Sequence, residues 1–361
     1  MRLAAILLGA WAGAALGASP SPSHTATAPV KIAHIKLSPG IHQFTVAADG
    51  YVEQLNSVAI INDEDVLVFD TTTRPSTARK ILGEIRKITR KPVRFVVNSH
   101  WHPDHWSGNE VFAAANPGLQ IIATEKERDF MLNTAAMWPG YIRKALEGQE
   151  KAVADQFASG KTTDGAPLTP EIKRQIEFEL QQIRDLSAEQ DKVRRIYPTL
   201  TYSDRLTLRH GGREFQFISV TGDAAGTTVL YLPQQRILIT GDTVSYPLPY
   251  YTPPLSEHAR SLRELARLNP AIIVPGHGPA FRDTGYMQLE AELFEEVLRQ
   301  TRAALQGGAV TIDEVQAKVD FSAFRDRFAR GDPDIARRFP GFASGMVRKA
   351  YIELRDSKEI R

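Results

Sequence analysis

The sequence predicts a mixed α/β protein, and three observations carry that expectation. Short β-branched runs alternate with stretches of helical periodicity. One apolar run, residues 93–97, leads directly into three histidines within six residues. A second series of strand-like runs follows a long helical stretch, so two β-then-α halves are visible.

The first half opens with strand-like segments at residues 41–46, 58–61 and 66–69, each β-branched or aromatic and bounded by Gly, Asn or Asp. Residues 76–88 carry Ile81, Ile85 and Ile88 at helical spacing, so a helix is expected there. Residues 93–97 and 119–123 read as strands. From 125 to 195 the pattern turns helical, with one clear start: Thr169 as N-cap, Pro170 at the first position, then Ile172, Ile176, Leu180 and Ile183 on one face. Met131, Met137, Trp138 and Tyr141 cluster just before it, as packing in the first instance and as a lid over a site in the second. Strands are expected again at 205–208, 214–220, 228–232 and 236–240, then a helix at 262–268 and an apolar strand at 272–275. The tail, 286–361, reads as amphipathic helix broken at Gly307-Gly308, Pro333 and Pro340.

Composition and the N-terminal stretch narrow the function. Met1-Arg2, an apolar run from 3 to 17 and the triplet Ala15-Leu16-Gly17 have the layout of a secretory signal peptide, with cleavage expected near residue 18. That run is shorter than the roughly 20 residues of a spanning helix. No lasting membrane insertion is therefore expected, and the protein should be secreted or periplasmic. Residues 19–29, rich in Pro, Ser, Thr and Ala, read as a disordered linker. Hydrophobic residues make up 42% and charged residues 24%, and the net charge is only +2, so no basic groove for nucleic acid is present. The expected partner is a small-molecule substrate. There is no cysteine, which excludes thiolate ligands and thiol nucleophiles. A metal site here must be built from His and carboxylates.

Of nine histidines, His100, His102 and His105 lie within six residues, with Asp104 beside the last. In extended backbone, positions two apart project to the same side. His100 and His102 can therefore grip one ion, while Asp104 and His105, past the turn at Pro103, face a second. Imidazole and carboxylate suit a borderline ion such as zinc.

His-x-His-x-Asp-His straight after a hydrophobic strand resembles the signature of the metallo-β-lactamase superfamily. Two further blocks resemble it in order and spacing: Tyr231-Leu232-Pro233 then Ile237-Leu238-Ile239-Thr240-Gly241-Asp242, and Val274-Pro275-Gly276-His277-Gly278-Pro279. Asp70-Thr71 fits the family's first strands. The resemblance covers roughly residues 41–281. It implies an αββα sandwich, two mixed sheets flanked by helices, over about 30–285, with a helical insertion at about 125–197 and a helical C-terminal extension at 286–361 outside the shared core. It also implies two divalent ions, zinc foremost: His100 and His102 on the first, Asp104, His105 and His277 on the second, and Asp242 bridging them. The implied reaction is attack of a metal-bridging hydroxide on an ester, thioester, lactone or β-lactam, with Asp104 orienting it and passing a proton to the leaving group.

One position departs from the family. Where its hydrolases place a third histidine in a His-x-x-Gly segment, this sequence has Asp223, counting back from Gly226-Thr227-Thr228-Val229. Asp223 is expected to replace that histidine as a ligand of the first ion, and His210, before Gly211-Gly212, reads as a turn residue. A third carboxylate takes the formal charge of the site from about +1 to roughly zero, which favours metal retention and weakens polarisation of a carbonyl. Asn98, Ser99, Trp101 and Trp106 are expected to support the ligands. The stiff aromatic stretch 246–254 lines a pocket or simply packs, and His258 has no assigned partner. Competing readings are a true β-lactamase, a non-haem-iron oxidoreductase and a non-catalytic metal-binding protein whose first site has decayed at Asp223.

Overall fold

The structure is a computed structural model that describes residues 31–47, 55–163, 165–251 and 254–356. The expected signal peptide and linker lie outside them. The chain divides into two compact units, residues 1–123 with 128–201, and 124–127 with 202–361.

The first unit holds a seven-stranded sheet in chain order: β1 (Lys31–Ser38), β2 (Ile41–Ala47), β3 (Asn56–Ile61), β4 (Val66–Phe69), β5 (Val93–Val97), β6 (Gln120–Thr124) and β7 (Leu200–Tyr202). Neighbours from β1 to β4 are antiparallel, while β4, β5 and β6 run parallel. Parallel pairing requires a crossover, and α1 (Pro75–Ile88) supplies the one from β4 to β5. Its Ala78, Ile81, Leu82 and Ile85 pack with Phe44, Val66, Val68 and Val96 of the sheet. Two short helices, α2 (Pro103–Trp106) and α3 (Asn109–Ala115), lie between β5 and β6.

The helical stretch expected after β6 forms α4 (Glu125–Thr134), α5 (Trp138–Ser159) and α6 (Pro170–Gln190). Thr169 caps α6 as its sequence suggests, its hydroxyl accepting the Ile172 N–H at 3.3 Å. Val153 of α5 meets Ile176 and Leu180 of α6. No side chain of the chain just before α1 caps that helix; the Ser76 N–H and hydroxyl donate instead to Glu189 of α6, at 3.0 and 2.7 Å.

The second unit holds a five-stranded sheet in the order β12-β11-β10-β9-β8, built from β8 (Arg205–His210), β9 (Arg213–Val220), β10 (Thr227–Leu232), β11 (Ile237–Ser245) and β12 (Ile272–His277). Its pairs are antiparallel except β11 with β12, which are parallel and joined through α7 (Leu255–Ala266). The tail forms α8 (Gly285–Gln306), α9 (Ile312–Gln316), α10 (Ser322–Ala329) and α11 (Pro333–Asp356). Val229, Leu238 and Ile273 of the sheet share one core with Leu262, Phe294, Phe339 and Val347 of these helices.

Mixed α/β with two sheets and helices is the fold class the sequence predicts, with differences in detail. Strands β1 and β7 form where no strand was expected. Helix α7 starts at Leu255, seven residues before the expected start, because Leu255, Ala259, Leu262 and Leu265 make one buried face. Pro333 begins α11, but Pro340 does not break it. Burial of Phe339, Ala343, Met346, Val347 and Ala350 along the same helix outweighs the roughly 3 kcal/mol an interior proline costs. Among the described residues, no helix is long and apolar enough to cross a membrane.

Candidate metal centre

Within each unit, the expected ligands other than Asp223 lie toward or just past the carboxyl ends of its parallel strands. In the first unit, Asp70 follows β4 and Asn98-Ser99-His100 follows β5. The Asp70 N–H donates to Val97 O at 2.8 Å, locking the two strand ends together. Asp70 then has a positive φ of 58°, which turns the chain sharply and leaves its carboxylate buried. Oδ1 accepts the Ser99 N–H at 2.7 Å; Oδ2 accepts the Ser99 hydroxyl at 2.8 Å and lies 2.7 Å from His105 Nδ1. Burial pushes the Asp70 carboxyl up, while the charge interaction with His105 and the bonds from His105 and Ser99 pull it down. With Nδ1 occupied, His105 presents Nε2, which lies 3.3 Å from Asp104 Oδ2.

The local fold of the motif follows from Pro103. His102 is extended (φ −65°, ψ 138°) and Pro103 opens α2, so Asp104 and His105 sit on a helical turn while His102 stays before it. His100 Nε2 and His102 Nδ1 are 2.8 Å apart. Two imidazole nitrogens at that distance share a proton or converge on one cation. Asn98 Nδ2 donates to His105 O (3.1 Å) and to Asn109 Oδ1 (3.0 Å), and Thr71 N–H also donates to His105 O (3.0 Å), so the carbonyl side of the motif is fastened. Gly108 follows because a Cβ there would run into the Thr71 carbonyl. Trp106 donates to Trp101 O at 2.9 Å and packs with Met131 and Ala135, and the Trp101 and Trp138 rings lie 4.6 and 6.0 Å from that of His102. These tryptophans wall the histidines.

In the second unit, Asp242 lies within β11 and His277 ends β12. Gly241 pairs with Pro275 and Ser245 with His277, so β11 carries two extra residues across this stretch. The resulting bulge places Asp242 Oδ2 3.6 Å from His277 Nε2. Gly276 is required beside it, since a Cβ there would collide with Asp242 Oδ1. Asp223 is buried in the turn between β9 and β10. Burial, and after it the Asp223 charge, push the Tyr251 phenol up to about 12. Burial lowers the Lys349 ammonium, and the Asp223 charge opposes that.

Of the two readings of the stretch 246–254, packing is the one its described residues show. Tyr246 packs on Phe281 and Tyr286, and the Tyr251 hydroxyl donates to Phe342 O at 3.4 Å. Tyr250 instead stands edge-on to His277, with ring centroids 5.3 Å apart. Thr252 and Pro253 lie outside the described residues. His258 is buried on α7, its Nε2 donating to Thr243 O at 2.9 Å, and burial pushes its pKa down to about 4. His210 closes β8 before the Gly211-Gly212 turn, as expected.

Two ligands of one tetrahedral zinc, each at about 2.0–2.2 Å, lie roughly 3.4 Å apart. The Asp104–His105 and Asp242–His277 separations, 3.3 and 3.6 Å, match that spacing. A donor set of imidazole and carboxylate without sulfur suits zinc or another borderline divalent ion. Asp70 and Asn109, which hold the motif, had no expected role in its support. Only Asp70 carried a signal, a turn-forming acid directly after an apolar strand.

The sequence model of the metallo-beta-lactamase superfamily matches residues 50–277, well over half the chain. Among curated proteins, the linear primary-alkylsulfatase of a Pseudomonas species is 29% identical over 311 residues, covering 80% of this chain and 53% of that protein. Among solved structures, the inverting sec-alkylsulfatase Pisa1 from Pseudomonas superposes with a TM-score of 0.57 at 15% identity, over 89% of this chain and 50% of that one. At that identity the likeness concerns the fold. A metallo-beta-lactamase from Pontibacter korlensis aligns with a TM-score of 0.49 at 18% identity, over 73% of this chain and 99% of that one. The chain spans about half the length of the alkylsulfatases it matches.

Proposed function

The chain belongs to the metallo-beta-lactamase superfamily, and on that premise we propose that it is a metal-dependent hydrolase of a small ester-type substrate, with two divalent ions, zinc foremost. As the family resemblance implies, His100 and His102 with Asp223 would serve one ion, Asp104, His105 and His277 the other, and Asp242 both. The observation that carries it is the spacing of the two carboxylate–imidazole pairs, 3.3 and 3.6 Å, with His105 turned by Asp70 so that Nε2 faces its partner.

Divalent ions bound there would supply Lewis acidity and an acidified water. The chain's own residues do the rest. Asp70 fixes the tautomer of His105, Asp104 takes and returns a proton beside the ligands, and the Trp101 and Trp138 rings pack beside His102. The substrate is an ester, thioester, lactone or β-lactam. A sulfate monoester of an alkyl alcohol joins that set, because the 29% identity to a linear primary-alkylsulfatase extends over 80% of the chain.

The test is a hydrolase screen on zinc-loaded protein covering alkyl sulfates, lactones, thioesters and β-lactams, with and without chelator. Turnover of at least one class that chelator abolishes and zinc restores is expected. Iron rather than zinc in the purified protein, with a redox signal and no hydrolysis, would move it to the oxidoreductases. Metal without turnover of any class would leave a binding protein.

A further inference from the structure

We infer that Tyr286 and Glu290 of α8 are positioning residues for the Asp242–His277 pair, acting through the main chain of Ser245. The starting point is the bulge. Between Gly241 and Ser245, β11 has no register partner on β12, yet every residue of the strand is buried. Main-chain groups cut off from both water and a ladder need other partners. Side chains from two helices provide them. His258 of α7 donates to Thr243 O at 2.9 Å. Glu290 Oε1 accepts the Ser245 N–H at 3.3 Å, and the Tyr286 hydroxyl lies 3.1 Å from Ser245 O and 3.0 Å from Pro247 O.

Tyr286 and Glu290 are four residues apart, hence neighbours on one helix face, and both are buried. Together they hold the N–H and the C=O of the same residue. Ser245 is the register partner of His277 and stands three residues after Asp242, and the next N–H, of Tyr246, donates to His277 O at 3.2 Å. Fixing Ser245 therefore fixes where the bulge re-enters the sheet, and with it the 3.6 Å between Asp242 and His277. A carboxyl group among Leu293, Phe294 and Val297 is otherwise out of place, since burial disfavours its charge. Both residues lie on α8, C-terminal to the segment 50–277 that the superfamily model matches.

The inference rests on the proposed metal site, and its test uses the full chain as Y286F, E290A and E290Q. Zinc titration of the metal-free proteins should show affinity for the ion held with His277 falling about 10–100-fold in Y286F and E290A. E290Q, whose amide carbonyl still accepts the Ser245 N–H, should stay near the wild type. Amide exchange at Ser245 should speed up in E290A and not in E290Q. Wild-type zinc affinity in folded Y286F and E290A, or unchanged exchange at Ser245 in E290A, overturns the inference; an E290A that does not fold leaves Y286F to decide. Equal loss of stability and zinc in E290Q and E290A also overturns it, since that pattern marks a merely structural residue. Failure of the metal reading looks different: the wild type takes up no zinc while the exchange difference at Ser245 persists.

Discussion

Asp70 Oδ2 lies 2.7 Å from His105 Nδ1, and both side chains are fully buried. The two residues come from different strand ends, and the contact leaves His105 one nitrogen with which to bind. A carboxylate in this position orients the ring and raises its basicity as a ligand. Asp70→Asn keeps the shape but offers a neutral acceptor. It should cost about 10–100-fold in affinity for the ion that His105 serves. Asp70→Ala should additionally destabilise the fold by about 1–3 kcal/mol, because the Ser99 N–H loses its acceptor. Calorimetric zinc titration and denaturant unfolding read the two effects. Unchanged zinc affinity in Asp70→Asn sinks the orienting role.

Asp223 stands where a histidine would be usual, and its expected role is to bind. Asp223→Ala should remove close to one metal equivalent per chain, while Asp223→His should keep both. Elemental analysis after dialysis decides it. Full stoichiometry in the alanine variant means that Asp223 serves only its neighbours Tyr251 and Lys349.

What the sequence made legible was what lies close along the chain. Three histidines and an aspartate within six residues mark a candidate ligand loop without any tertiary information. Asp242 and His277 became candidates through the resemblance of their flanking Gly and apolar runs to the family's blocks. The support did not, because its partners are distant. Asp70 meets Ser99 and His105, Asn109 meets Asn98 and the Ile196 carbonyl, and Glu290 reaches back to Ser245. A buried Glu in an amphipathic helix looks like any other polar position until the bulge it satisfies is known. Pro340 shows the same limit in the fold, since local propensity predicts a break that the packing of α11 overrides.

Two glycines separate close approach from helix propensity. A Cβ at Gly276 would collide with Asp242 Oδ1, whereas one at Gly83, inside α1, meets no atom within 4 Å. Gly276→Ala should destabilise by about 1–3 kcal/mol through overpacking and displace Asp242, with zinc lost in parallel. Gly83→Ala should instead stabilise by about 0.5–1 kcal/mol and leave zinc binding alone. Unfolding curves with parallel metal analysis test both. A Gly276→Ala protein that retains full zinc means that Asp242 has room to move.

His258 gives a pH signature of its own. Burial holds its folded pKa near 4, below the ordinary 6.5, so the ring stays neutral while it bonds Thr243. The unfolded chain takes up a proton first as pH falls, so the stability His258 permits is complete above about pH 6.5 and is lost progressively toward pH 4. At pH 5 the linkage amounts to about 2 kcal/mol. His258→Gln keeps an N–H donor for the carbonyl and cannot titrate. Its stability relative to the wild type should be flat above pH 7 and rise by about that amount at pH 5, measured by urea unfolding of metal-free protein. A stability difference independent of pH between 7.5 and 5 means that His258 is protonated equally in both states, and the buried neutral ring is then the wrong description of α7.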